Sequence, residues 1–585
     1  MKPFKTALPM LLLLASAGAV VAQKLSPEFA DVHSSQMVNV IVRYKSAPTA
    51  EQHQRVVSRG GVHTATHEII QSASYRVPAA QVAELANDPD VAQVSPDRPV
   101  QALAVTSGVV SASPAGTNIA IDYFRETVYA DPADNPTYNG AGVVIALIDS
   151  GVTVNADFSR PLLYQQSFVP GDSSTADAYG HGTHVAGMLV GSGKNSSGWN
   201  SKYQFGGAAP GASLVNLRVL DANGIGTDSA VISAIQRAIA LKSTYNIRVI
   251  SLSLGRPPAG SYLNDPLCQA VEAAWNAGIV VVVAAGNEGR NNSAGNQGYG
   301  TILAPGNDPY VITVGAMKSM GTTSRNDDFI ASYSSKGPTL VDHVVKPDLL
   351  APGNLVISVE APNSTLARAN PGNDVPTSVY LNQGWPLIGG AASFASNPAH
   401  SYFVLSGTSM ATPVVSAAAA SLLQKNPSLT PDQIKARLMK TASKAFPVSS
   451  VAVDPVTGIS YTSYYDIFTV GAGYLNLANA LVNNDLAQGS AMSPSVTYNA
   501  STNTATLNVT GNGVIWGTGV IWGTGVIWGT NAFVGGTGVI WGTAVSWGTA
   551  TPQGQSVIWG TDPDSASGVI WGTTTPSAAA LVRGE

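Results

Sequence analysis

The sequence predicts an α/β protein: an open, mostly parallel sheet with helices on both faces, preceded by a small α+β ferredoxin-like unit and followed by a β-type or disordered repeat tail. Three observations carry this. Five runs, 142–149, 214–219, 249–254, 279–285 and 311–315, are β-branched and apolar almost throughout, as strands covered on both faces must be. Helical segments lie between them. In 229–242, Val231, Ile232, Ile235, Ile239 and Leu241 recur at helical spacing, with Asp228 or Ser229 as cap. Strand and helix alternating in this way build a parallel sheet. The two ends of the chain depart from that alternation, each in its own way.

At the start, Lys2 and Lys5 precede an apolar run over 11–22, broken only by Ser16, with small residues Val20 and Ala22 before a cut at Gln23. This predicts an export signal over 1–22, too short to span a bilayer, which takes about 20 residues. Residues 23–104 follow as strand 38–42, helix from Pro48 through Val57 ended by Gly60-Gly61, strands 62–70 and 74–77, helix from Pro78 through Leu85 stopped by Asn87-Asp88-Pro89, and strand 91–94. The order is βαββαβ, the split pattern of a ferredoxin-like unit. The Ser/Gly/Ala-rich stretch 105–116 reads as a linker, 117–482 as the main domain and 483–512 as a second linker. In 513–573 the hexapeptide Gly-Val-Ile-Trp-Gly-Thr recurs, placing Trp516, Trp522, Trp528, Trp541, Trp547, Trp559 and Trp571 mostly six or twelve apart. An even period puts every tryptophan on one side of an extended chain. Residues 574–585 close the chain as a tail. Self-packing, surface binding and self-association are all open to such an uncharged, β-favouring repeat.

Composition narrows the function. The 585 residues carry 30 basic and 35 acidic side chains, a net charge of −5, with no basic patch; nucleic acid is not an expected partner. Cys268 is the sole cysteine, so an intrachain disulfide is excluded, and its apolar neighbours mark it as a small buried residue. The expected location is outside the cytoplasm, secreted or at the cell surface, with no membrane anchor once the signal is removed.

The chemistry sits in three segments: Asp149-Ser150-Gly151, His181-Gly182-Thr183-His184-Val185-Ala186-Gly187 and Gly407-Thr408-Ser409-Met410-Ala411-Thr412-Pro413. A serine hydroxyl needs a base to take its proton, and the base needs an acceptor to fix its tautomer. Asp149 ends an apolar strand at the edge where α/β sheets place their sites. His181 lies between two glycines at a helix start. Ser409 opens a helix from Met410 to Leu423, whose free N–H groups suit an oxyanion. Asn287, closing Ala284-Ala285-Gly286-Asn287 at the end of another strand, is the natural side-chain donor. His184 is expected to pack rather than to ligate, because the histidine spacing lacks the helical zinc pattern.

Together these segments resemble the subtilisin-like serine proteases over roughly 117–482, helped by Ser332 to Pro338, Lys346-Pro347-Asp348, Ala351-Pro352-Gly353 and Gly471-Ala472-Gly473. The resemblance implies Asp149, His181 and Ser409 as a triad, Asn287 as oxyanion donor, and a substrate pocket lined by Ser253, Leu254, Gly255, Ala284, Ala285 and Gly286. The backbone of 253–255 would pair with a polypeptide substrate as an added strand. It also implies that 23–104 is a propeptide, an intramolecular inhibitor whose tail, 96–104, enters the cleft and is cut. No organic cofactor is required. Calcium stays undecided: a compact calcium loop often follows the histidine helix in this family, and its ligands are not found here. Residues 354–405 are longer than a simple connection. The function expected is a secreted serine endopeptidase; the alternative is a non-enzymatic surface or adhesive protein acting through the Trp repeats.

Overall fold

The computed structural model describes residues 24–29, 36–103, 121–293, 295–382, 401–454, 457–499 and 504–508, together with short strands at 531–533, 557–558 and 570–571. The expected signal 1–22, the linker 105–116, most of the repeat region 513–573 and the tail 574–585 lie outside the described residues.

The first unit is a four-stranded antiparallel sheet of β1 (Met37–Tyr44), β2 (Val62–His67), β3 (Ser72–Pro78) and β4 (Val91–Pro96), in the order β2-β3-β1-β4, with helices α1 (Ala50–Ser58) and α2 (Val82–Asn87). Thr49 and Gln52 close a reciprocal cap on α1. The second helix begins at Val82 rather than Pro78, because Ala79–Gln81 forms a 3₁₀ turn first. Val40, Val42, Tyr75, Val77, Leu85 and Val94 form a core separate from the main one.

The chain then runs on as β5 (Pro99–Ala102) into the main domain. That domain is built on β6 (Val144–Asp149), β7 (Tyr164–Ser167), β8 (Ser213–Arg218), β10 (Ile247–Leu252), β12 (Val280–Ala284), β13 (Ile312–Lys318), β14 (Phe329–Ile330) and β15 (Leu349–Pro352). The order is β14-β13-β12-β10-β6-β8-β7, with β15 also on β13, and every pair is parallel except β13–β14. All residues of β6, β12 and β13 are buried, as parallel strands covered on both faces require. Helices α3 (His181–Val190) and α6 (Thr408–Lys425) pack together against the sheet. Helices α4 (Asp228–Tyr245) and α5 (Pro266–Asn276) form a second pair.

Two short strands, β9 (Ile225–Thr227) and β11 (Leu254–Gly255), stand either side of β5 and make a three-stranded antiparallel sheet with it. In the long segment 354–405, β16 (Val356–Val359) pairs antiparallel with β17 (Tyr402–Leu405), and Tyr380 and Tyr402 pack edge to face with Phe205. Packing continues beyond residue 482. Helix α7 (Pro431–Thr441) carries Lys435, whose buried ammonium donates to the carbonyls of Pro309 and Val311 and to Ser493 Oγ, and Ser495 bridges to Val344.

Candidate active site

Strand β6 delivers Asp149 to its carboxyl end, fully buried. The chain can turn away there because Gly151 adopts φ +110°, where a Cβ would stand 2.8 Å from two backbone oxygens. Helix α3 starts beside it and presents His181 from its first position. His181 Nδ1 donates to Asp149 Oδ1 at 2.8 Å, and Ser150 N donates to the same oxygen at 2.7 Å. A carboxylate only accepts, so the imidazole proton sits on Nδ1 and Nε2 is left as an acceptor. Nε2 is buried and has no hydrogen-bond partner among the described residues.

Asp177 holds the helix in that place, and the sequence reading did not single it out. Its buried carboxylate accepts from the N–H groups of Gly180 (2.7 Å) and Thr183 (2.7 Å), from Thr183 Oγ1 (2.7 Å) and from Ser150 Oγ (2.9 Å). It therefore satisfies orphan donors at the α3 N-terminus and ties the helix to the exit of β6. Burial pushes its carboxyl above the usual range, opposed by these hydrogen bonds. The available signal was an acidic residue four positions before the histidine, at a helix start. His184, one turn on, lies with Nε2 3.1 Å from the carbonyl oxygens of Val356 and Phe403. Burial pushes it down to about 3, so the ring is neutral and donates to backbone.

Ser409 lies in the first turn of α6, fully buried. Its hydroxyl makes no hydrogen bond to His181. It donates to the Ser253 carbonyl at 2.9 Å, while Ser253 Oγ returns a bond of 2.9 Å to the Ser409 carbonyl. The fold thus joins Asp149 to His181 directly and leaves the Ser409 hydroxyl bonded to the carbonyl of Ser253, the residue between β10 and β11. The helix begins at Thr408, earlier than the sequence suggested. Thr408 N and Oγ1 donate to Asn287 Oδ1 at 2.9 and 3.0 Å. These contacts fix which way the Asn287 amide faces: oxygen to Thr408, Nδ2 to the cleft.

The cleft holds a segment of the same chain. In β5, Ala102 pairs with Leu254 and Gln101 with Gly255 on one side, while Val100 pairs with Gly226 on the other. Leu103 N donates to the Ser253 carbonyl (3.4 Å), and the Leu103 carbonyl accepts from Asn287 Nδ2 at 2.6 Å. The Leu103 side chain is buried against Ala284 and Leu303. Ser253, Leu254, Gly255, Ala284 and Asn287 therefore surround one stretch of backbone. Gly286 N is turned inward, donating to Thr408 Oγ1, and Ala285 pairs with β13 through Val314. Among the described residues, no group of three or more His, Cys, Asp or Glu side chains gathers where a metal ion would be held. None of the described helices is long and apolar enough to cross a membrane.

The model of the subtilase family matches residues 140–508. Serine protease AprX of Bacillus subtilis (strain 168) is 37% identical over 317 residues, which is 53% of this chain and 63% of that protein. Subtilisin E of the same strain is 31% identical over 418 residues, 70% of this chain and 86% of that protein. Among solved structures, fervidolysin from Fervidobacterium pennivorans, a keratinolytic enzyme related to subtilisin, matches with a TM-score of 0.53 at 21% identity, over 78% of this chain and 62% of that one. That last likeness is one of fold.

Proposed function

The chain belongs to the subtilase family, as a subtilisin-like serine endopeptidase, and from that premise we propose that it is exported, carries its own N-terminal inhibitor, and cuts peptide bonds with Asp149, His181, Ser409 and Asn287. The observation that carries this reading is the Leu103 carbonyl, held 2.6 Å from Asn287 Nδ2 directly after β5, the strand paired with β11. That is how an acyl group awaiting attack is presented.

Attack begins with a rotation of Ser409 about its Cα–Cβ bond, from the Ser253 carbonyl to His181 Nε2. The oxygen then adds to the substrate carbonyl carbon and its proton passes to Nε2, while Asp149 steadies the imidazolium that forms. Asn287 Nδ2 and the backbone N–H at Ser409 receive the oxyanion. Collapse breaks the C–N bond, His181 returns the proton to the leaving amine, and an ester to Ser409 remains. Water, deprotonated by the same imidazole, hydrolyses that ester. The group needs no organic cofactor for these steps, and calcium enters none of them.

Residues 23–104 act first as a folding template and then as an inhibitor, because a long-range parallel sheet is slow to form and a docked partner lowers that cost. The first bond cut is the chain's own, the peptide bond after Leu103, whose carbonyl meets Asn287 Nδ2, one residue short of the boundary expected at 104. Purified full-length protein and its Ser409→Ala variant test the reading. The wild type is expected to release the N-terminal domain and digest casein; the variant is expected to stay whole and inert. Equal casein digestion by both, or none by either after removal of residues 1–103, refutes the assignment.

A further inference from the structure

The pocket that receives Leu103 is closed at its far side by Leu303, a residue outside all the motifs considered above. Leu103, Ala284 and Leu303 form a small apolar cluster of their own, each about 5% exposed or less. The neighbouring walls are glycines with no room to spare. A Cβ on Gly255 would stand 3.3 Å from Leu103 Cδ1 and 3.3 Å from Leu303 Cβ. A Cβ on Gly286 would stand 2.7 Å from Leu303 Cγ and 3.0 Å from its Cδ1. Leu303 therefore reaches from Gly255, beside its Cβ, to Gly286, beside its tip, and the tip of Leu103 lies against the same Gly255.

Leu303 has no easy retreat. Its N–H donates to the Ala285 carbonyl at 3.0 Å and its carbonyl accepts from Asn307 N at 3.0 Å. The next residue, Ala304, exchanges two backbone bonds with Arg256. Arg256 is anchored in turn by buried Asp228 and Asp265 at 2.8 and 2.7 Å. Interiors are close-packed, so a larger side chain in such a pocket must displace something, and here the displaceable wall is pinned on both sides.

We infer that Leu303 sets the depth of the specificity pocket, so that the mature enzyme cuts after leucine-sized apolar residues in preference to aromatic ones. The inference rests on the protease reading above and adds to it the class of residue before the cut. Leu103 is then the enzyme's own best substrate position, and Gln101, exposed on the same strand, contributes little to selection.

The test uses mature enzyme obtained by self-release, with casein as the general substrate and a matched set of Val-Gln-Ala-Xaa anilides, Xaa being Ala, Leu, Met, Phe or Tyr. Wild type is expected to favour Leu over Phe by about tenfold or more in kcat/KM, the scale of discrimination available to an apolar pocket. In Leu303→Gly, Phe is expected to gain on Leu by a similar factor. Phe cut as fast as Leu by wild type, or an unchanged Leu-to-Phe ratio in a variant that digests casein, overturns the inference while leaving the protease reading intact. A wild type inert toward casein as well overturns that reading and takes the inference with it. Should Leu303→Gly not fold, the wild-type ratio and Leu303→Ala decide.

Discussion

At the level of single residues, the site depends on which way a few side chains face. Asn287 has its amide oriented by Thr408, so its donor is aimed before any substrate arrives. Replacing Asn287 with Ala is expected to lower kcat by about 10²- to 10³-fold with a small change in KM, roughly 3–4 kcal/mol of transition-state stabilisation; steady-state kinetics on one peptide amide reads both. Loss from KM alone would place Asn287 in binding instead. The residue types were legible: a carboxylate, an imidazole, a hydroxyl and an amide, each in a small-residue setting. The Ser409 hydroxyl direction was not, because a rotamer leaves no mark on spacing. The cap of α4 was misread for a similar reason. Thr227 accepts from Ala230 N, whereas Asp228 is drawn off by the Arg256 guanidinium, a partner 28 positions away. Burial pushes the Asp228 carboxyl up to about 7, against the pull of that guanidinium.

Among elements, the contact between α3 and the exit of β6 matters most. A Cβ on Gly182 would fall 2.2 Å from the Gly151 carbonyl oxygen, an overlap with backbone on both sides. Gly182→Ala is expected to push the helix off the strand, stretch the His181–Asp149 bond, lower stability by about 1–3 kcal/mol and remove most activity; thermal melting and casein digestion measure the two effects separately. A variant with wild-type melting and turnover would mean that the helix has slack the packing does not show. The five long strands could be read from sequence because burial on both faces demands unbroken apolar runs. Strands β5, β9 and β11 have no such run at two to four residues: the pairing of 253–255 with the 96–104 tail came only from the family resemblance, and β9 had no signal, because its partner lies more than 100 positions away. The Asp177 clamp escaped notice too, since its partners, backbone N–H groups and the Thr183 and Ser150 hydroxyls, are brought together only by the fold.

For the molecule as a whole, the N-terminal domain is fastened to α4 through polar contacts. Asp97 accepts from Ser229 N and Oγ at 2.8 and 2.7 Å, and Gln236 bridges Ile69 N and the Thr66 carbonyl. His67 lies fully buried in this seam, bonded to Ser74 Oγ at 2.6 Å and 3.5 Å from Ser233 Oγ on α4. Burial, with a smaller push from His63, lowers its pKa to about 4 from 6.5. The unfolded chain takes up this proton near 6.5 and the folded one near 4. The stabilisation is complete above pH 6.5, drains as pH falls through that window, and amounts to about 3 kcal/mol at most. Denaturation of the Ser409→Ala chain at pH 7 and pH 5 is expected to show the N-terminal transition at lower urea in acid, with His67→Gln flattening the difference; identical midpoints would exclude the ring as its source. The Lys435 cradle reaches the other end of the chain. Burial pushes that ammonium down to about 7, against the pull of Asp348, and Ser493 bonds to both groups. Trimming the protein back to residue 482 would leave this cation short of an acceptor in the interior, whereas a stop codon just after Asn508 would spare it. The repeats are dispensable to the body only if the hem that precedes them is kept.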